Sequence, residues 1–211
     1  MSITHHPSEA TLFAHAAGGL PGALEAVVAT HLCFCAACRA AVRVADGAGG
    51  ALLEALAPAP LAEGALDAVL ARLDQAPPAP ALAPAPPAGV PWPRPLARLA
   101  HGRWRWLGPG MRAMRLGPPA ARGGSLAMLR IAPGRAMPVH GHGGLELVCV
   151  LAGSFADESG TYRPGDVSEH DEEDRHQPVA GREADCICLS GTDAALRLSG
   201  LARLLQPLLG L

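Results

Sequence analysis

Lysine is absent from this 211-residue chain, so all 17 of its basic side chains are arginine. With a net charge of −2 and no arginine cluster, the chain lacks the positive surface that counterion release from a phosphate backbone requires, and no direct nucleic-acid binding is expected. Nowhere do about eighteen apolar residues run without interruption by Pro, Gly or charge, so no membrane-spanning helix is expected. The first residues, "MSITHHPSEATLF", do not place a basic segment before an apolar one, and we expect a soluble, cytoplasmic protein. Cysteines are few, at positions 33, 35, 38, 149, 186 and 188. In a reducing compartment these are expected to be thiols or metal ligands rather than disulfides. Aromatics amount to 3% of the residues, which leaves few large side chains with which to build a core.

Proline and glycine, at 21 and 25 residues, are plentiful, and their placement divides the chain. Residues 1–74 are alanine-rich with helical periodicity, 75–93 ("QAPPAPALAPAPPAGVPWP") form a proline-alanine tract, and 94 to about 200 read as short strands between glycine-containing turns. The middle tract is expected to be a semi-rigid extended linker, because proline blocks helix and central strand alike. In the first segment a helix capped by Ser8 should stop at Gly18-Gly19. A second should begin at Pro21, and "CAACRAAVRVA" should continue or restart it as far as Asp46-Gly47. A last helix, "PLAEGALDAVLARLD", carries a wide apolar face that includes Leu61, Leu66, Val69, Leu70 and Leu73. A unit of this size with so few large side chains needs a metal or a partner to supplement its core.

The stretch "HLCFCAAC" supplies a candidate for that metal. His31, Cys35 and Cys38 fall at i, i+4 and i+7, one face of a continuous helix, while Cys33 would point elsewhere. A two-residue gap between cysteines lets both thiolates reach one tetrahedral zinc ion. The fourth ligand must come from another element: His6 is preferred, with His5 and His15 as rivals.

A second constellation lies in "PGRAMPVHGHGGLELVCVLAGSF". The spacing of Gly134, His140, His142, Glu146 and Gly153 resembles the first motif of the metal-binding cupins at every interval. Two histidines at i and i+2 project from one strand face, and Glu146 returns to the same side after a turn. The turn at Pro164-Gly165-Asp166 resembles the start of the second cupin motif, after which His176 is expected to complete the set. His170, inside the acidic "EHDEED", competes with it. Three imidazoles and a carboxylate suit zinc, but also iron, manganese or nickel. In "ADCICLSG", Cys186 and Cys188 share one strand face, as core residues or as an oxidisable pair.

A small helical unit with His-x3-Cys-x2-Cys joined to a metal cupin resembles the ChrR-type anti-sigma factors of the zinc-binding anti-sigma class. The resemblance implies an α+β multidomain chain, in which a helical zinc domain (1–74) is joined by the Pro/Ala linker to an all-β cupin (jelly-roll) barrel (94–211). It implies two zinc ions, one held by His6, His31, Cys35 and Cys38, the other by His140, His142, Glu146 and His176. It also implies sequestration of an extracytoplasmic-function sigma factor as a 1:1 heterodimer, with release in response to singlet oxygen or organic peroxides through the cupin. The 61–74 helix is the expected docking element. The rival expectation is a metal-dependent cupin enzyme, a dioxygenase or isomerase, with an accessory zinc domain.

Overall fold

The computed structural model describes residues 3–73, 75, 85–118 and 123–198. Among them, four α-helices come first: α1 (Glu9–Ala16), α2 (Gly22–Phe34), α3 (Ala36–Glu54) and α4 (Ala65–Leu73). No single helix among the described residues is long and apolar enough to cross a membrane. The first helix begins as its capping chemistry dictates, with the Thr11 N–H donating to Ser8 Oγ at 3.2 Å, and it ends before Gly18, whose φ of +67° suits glycine. The second starts directly after Pro21.

Two helical expectations are corrected. The helix carrying His31 is not continuous through Cys35: that residue is extended (φ −99°, ψ 109°), closing α2 and opening α3, and the chain turns by 119° there. Nor does α3 stop at Asp46-Gly47. It runs on to Glu54, with Gly47, Gly49 and Gly50 outside the positive-φ set, because each interior glycine costs only about 1 kcal/mol and the surrounding alanines and leucines are good helix formers. The last helix is also shorter than its apolar pattern, since Leu61 precedes it.

A 3-10 turn at Arg94–Leu96 leads into an all-antiparallel β-structure. Its main sheet contains β1 (Arg105–Gly108), β2 (Met111–Leu116), β3 (Gly123–Ile131), β5 (Glu146–Ala152), β8 (Val167–His170) and β11 (Cys186–Ala194), in the order β1-β2-β3-β11-β5-β8. Two three-stranded sheets close over it. One joins β10 (Val179–Ala180), β6 (Phe155–Asp157) and β7 (Gly160–Tyr162); the other joins β12 (Leu196–Leu198), β4 (His140–His142) and β9 (Arg175–His176). Four helices followed by this barrel realise the expected α+β class.

The main sheet is buried on both faces, which is why "ELVCVLA" and "CICL" read as unbroken apolar runs. Val148, Val150, Cys186 and Cys188 face the barrel interior with Leu129 and Phe155. Leu147, Cys149, Ile187 and Leu189 face outward, where α2 lays Leu24, Val27 and Val28 on them. Fully burying each such side chain contributes about 1.5–3 kcal/mol, so the sheet supplies the core that the small helices lack. Close approach requires Gly191: a Cβ there would lie 2.5 Å from the Ala23 carbonyl oxygen and 2.8 Å from Val27 Cγ2. Of the proline-alanine tract, 76–84 lie outside the described residues, while Val90 and Trp92 pack against this same outer core.

Candidate metal centres

The break at Cys35 builds the first centre. Because the helix restarts at Ala36, Cys35 Sγ accepts the Cys38 N–H at 3.4 Å and both sulfurs turn toward one point at the N-terminus of α3, where the helix dipole favours negative charge. The extended segment before α1 brings in His6, whose Nδ1 lies 3.4 Å from each sulfur. The last turn of α2 adds His31 edge-on to His6, with ring centroids 5.7 Å apart. One donor atom from each of the four residues lies within 4.8 Å of every other.

Two further features fit a cation here. His31 Nδ1 donates to the Gly165 carbonyl oxygen at 2.7 Å, which leaves its Nε2 as the lone-pair atom, and that nitrogen is buried with no hydrogen-bond partner. Burial pushes the His31 pKa down, toward the neutral, ligating form. For Cys38, burial and then the neighbouring Cys35 push the thiol up to about 12, so thiolates at this spot require a positive ion. The two rival histidines are engaged elsewhere. His5 packs at a tilt against Tyr162, with ring centroids 4.5 Å apart, and His15 Nδ1 lies 2.7 Å from Glu25 Oε2. Cys33 is exposed and points away, toward the Ala29 carbonyl.

The second centre follows from strand register. On β4, His140 and His142 face one way; His140 is the direct cross-strand partner of His176 on β9, and Glu146 opens β5 nearby. All four side chains are buried, and one donor atom from each lies within 4.8 Å of the others. Glu146 Oε2 is 3.7 Å from His142 Nδ1, 3.7 Å from His176 Nε2 and 4.0 Å from His140 Nε2. Neither ring nitrogen of His142 has a hydrogen-bond partner. Burial, only partly offset by Glu146, holds its pKa down at about 4. A neutral, buried, unpartnered imidazole beside a carboxylate fits a metal ion better than it fits a closed hydrogen-bond network.

His170 stands just outside this set. It pairs with Glu146 across β8 and β5, but its Nε2 approaches Asp157 Oδ2 at 3.3 Å. Asp157 Oδ2 also lies 3.0 Å from His176 Nδ1, the arrangement by which a carboxylate orients a metal-binding imidazole. Burial would raise the Asp157 carboxyl, yet His170 and His176 together hold it well below the usual range. Ser190 Oγ steadies the other donor, donating to Glu146 Oε1 at 2.9 Å. Neither Asp157 nor Ser190 carries any motif spacing, so sequence reasoning missed both. The centre opens on a largely apolar cavity in the barrel, walled by Leu107, Leu129, Met137, Val148, Phe155 and Cys188. Cys186 and Cys188 are fully buried, and the hydrogen bond between them, followed by burial, raises the Cys188 pKa well above that of a free thiol.

The five apolar residues assigned to docking share one property, exposure. Leu61, Leu66, Val69, Leu70 and Leu73 are 49% to 84% accessible, and α4 contains no buried residue.

Residues 94–195 match the family model described as the ChrR cupin-like domain. The anti-sigma-E factor ChrR of Cereibacter sphaeroides is 46% identical over 213 residues, covering 98% of this chain and 98% of the relative. The crystal structure of Rhodobacter sphaeroides SigE in complex with the anti-sigma ChrR includes a chain that is 42% identical, with a TM-score of 0.76. The match covers 91% of this chain and 100% of that one. With such identity sustained from the helical segment through the barrel, the chain belongs to the family of ChrR anti-sigma factors.

Proposed function

We propose that this chain sequesters an extracytoplasmic-function sigma factor, in a 1:1 complex, through a helical domain (1–74) organised by zinc. A linker (75–93) joins it to a cupin domain (94–211) that releases the partner in response to singlet oxygen or an organic peroxide. The relative whose crystal structure contains SigE and ChrR together supports the partner class. The observation that carries the docking assignment is α4 itself: a helix with four large apolar side chains, Leu66, Val69, Leu70 and Leu73, all exposed among the described residues. Two sulfurs and two imidazoles are a donor set for tetrahedral zinc, and zinc bound by His6, His31, Cys35 and Cys38 would tie three separate elements of the small domain together.

The test is capture of the cognate sigma factor by the full chain. Leu66→Asp with Leu70→Asp should abolish capture while zinc content and helicity are kept; undiminished capture would remove α4 from the interface.

Release through the cupin is supported by the buried three-histidine, one-carboxylate centre and by the course of β8, which leads from Asp166, hydrogen-bonded to the N-terminal segment, to His170 beside that centre. Because α2 shares its core with the main sheet, deleting the barrel would expose Leu24, Val27 and Val28, so substitution of ligands is the cleaner experiment. His140→Ala with Glu146→Ala should keep sigma capture and lose the oxidant response. Oxidant release at the unmodified rate would take the sensor role away from the cupin.

One observation favours the rival enzyme reading: the second centre faces a cavity. Apart from the metal set its walls are mostly apolar, and Tyr162, the single tyrosine, stacks on Phe155 instead of lining it. Groups that could bind and orient a polar substrate beyond the metal set are Ser125, Ser190 and Thr192. Iron as the bound metal together with turnover of a small molecule would establish the enzyme and displace the regulator.

A further inference from the structure

The first metal centre is assembled on the helical side of the molecule, yet its supporting shell is drawn from the barrel. The turn Arg163–Asp166 between β7 and β8 contacts one donor residue, His31, and the backbone just before another, His6. The Gly165 carbonyl oxygen accepts the Nδ1–H of His31 at 2.7 Å, a bond buried from solvent and spanning 134 residues of sequence. The Asp166 carboxylate, 1% exposed, accepts the backbone N–H groups of Thr4 at 2.7 Å and His5 at 3.0 Å through Oδ1, while Oδ2 takes the Arg163 N–H at 2.9 Å. The next N–H, that of Val167, donates back to the His5 carbonyl at 3.1 Å. Further along β8, Glu169 accepts from the Ser8 N–H at 2.7 Å and from the hydroxyls of Ser8 and Thr11, each at 2.8 Å. The segment presenting His6 is therefore held on both sides of that residue by barrel carboxylates.

We propose that the Arg163–Asp166 turn is a positioning element for the N-terminal metal centre. Gly165 sets the His31 tautomer so that Nε2 faces the ion, and Asp166 holds the backbone that presents His6. An acceptor on one ring nitrogen of a histidine ligand fixes the tautomer and ring orientation that present the other to the metal, and loss of such an outer partner typically weakens a metal site about 10- to 100-fold. Here the acceptor belongs to a different domain from its ligand. Gly165 also has no room for another residue: a Cβ would run into Ile3 Cδ1 and lie 3.1 Å from Phe34 Cβ, at a φ of +93°. The inference rests on the reading of His6, His31, Cys35 and Cys38 as a metal site.

The test uses the full chain loaded with cobalt(II). Only the N-terminal centre contains thiolates, so the thiolate-to-cobalt absorption band reports that centre alone. Asp166→Ala, which removes the acceptor of the Thr4, His5 and Arg163 N–H groups, should speed decay of the band in excess chelator by about 10-fold relative to the unsubstituted chain. An unchanged decay rate in a variant with the same circular dichroism would overturn the proposal. A second measurement needs no substitution. In the zinc-loaded chain, nitrogen-15 correlation spectra of the His31 ring should show the proton on Nδ1 and the metal on Nε2, and the reverse assignment would also overturn it. If the unsubstituted chain gives no thiolate-to-cobalt band, or if replacing both Cys35 and Cys38 by serine leaves the band unchanged, the metal site itself is lost and the inference with it. A normal band with an unaltered rate removes only the positioning role.

Discussion

Asp157 and His176 meet at 3.0 Å, Oδ2 to Nδ1, with the Asp157 side chain wholly buried. The contact decides which nitrogen of His176 is available to the cupin centre. With Nδ1–H committed to the carboxylate, Nε2 is left facing His140, 3.1 Å away, and Glu146. Asp157→Asn preserves the shape and the Oδ1 acceptor for the Ser159 and Gly160 N–H groups but weakens the hold on His176. Metal affinity of the cupin centre, measured by competition with a chelator, should fall about 10- to 100-fold. Unaltered affinity would mean that the imidazole is oriented by packing alone.

Substitution at the other centre should be felt by the fold. Cys35→Ser or Cys38→Ser removes a sulfur from a cluster whose binding free energy is also folding free energy. Each variant should lose one equivalent of zinc by metal analysis, together with sigma capture. A serine variant that retains both would end the structural-zinc reading.

The seating of α2 on the barrel can be probed at Gly191. Alanine there places a methyl group against the Ala23 carbonyl and Val27, both part of a helix packed on its other side as well. Overpacking of this kind costs about 1–3 kcal/mol, so Gly191→Ala should lower the urea midpoint by a corresponding amount at an unchanged slope. A midpoint equal to that of the parent would show that α2 can lift from the sheet without penalty.

Some of this was readable one residue at a time. Ser8, Gly18 and Pro21 act through their own backbone and side-chain chemistry, so the first two helices begin and end close to where their signals stand. The interval from His140 to Glu146 spans a strand, a turn and the next strand, and a local spacing of that kind carries its geometry with it. Cys35 illustrates the limit. Helical periodicity placed His31, Cys35 and Cys38 on one continuous face, but only a break between α2 and α3 turns the sulfurs toward His6.

What the sequence by itself determined is the donor chemistry: two sulfurs at a two-residue gap, histidines at alternate strand positions, a glutamate one turn later, and an apolar helix too rich in leucine for the unit that carries it. Tertiary structure alone decided which distant groups complete those sets. His6 reaches Cys35 from another element, the pairing of β4 with β9 sets His176 directly across from His140 while His170 lies against Asp157, and Asp157, Gly165 and Asp166 come from distant strands and turns to contact His176, His31 and the backbone beside His6. The physical reason is range. Capping, turn and spacing rules act over a few residues, whereas a hydrogen bond across 134 residues exists only after α2 has been packed against the barrel by burial that leaves no periodic mark at either end.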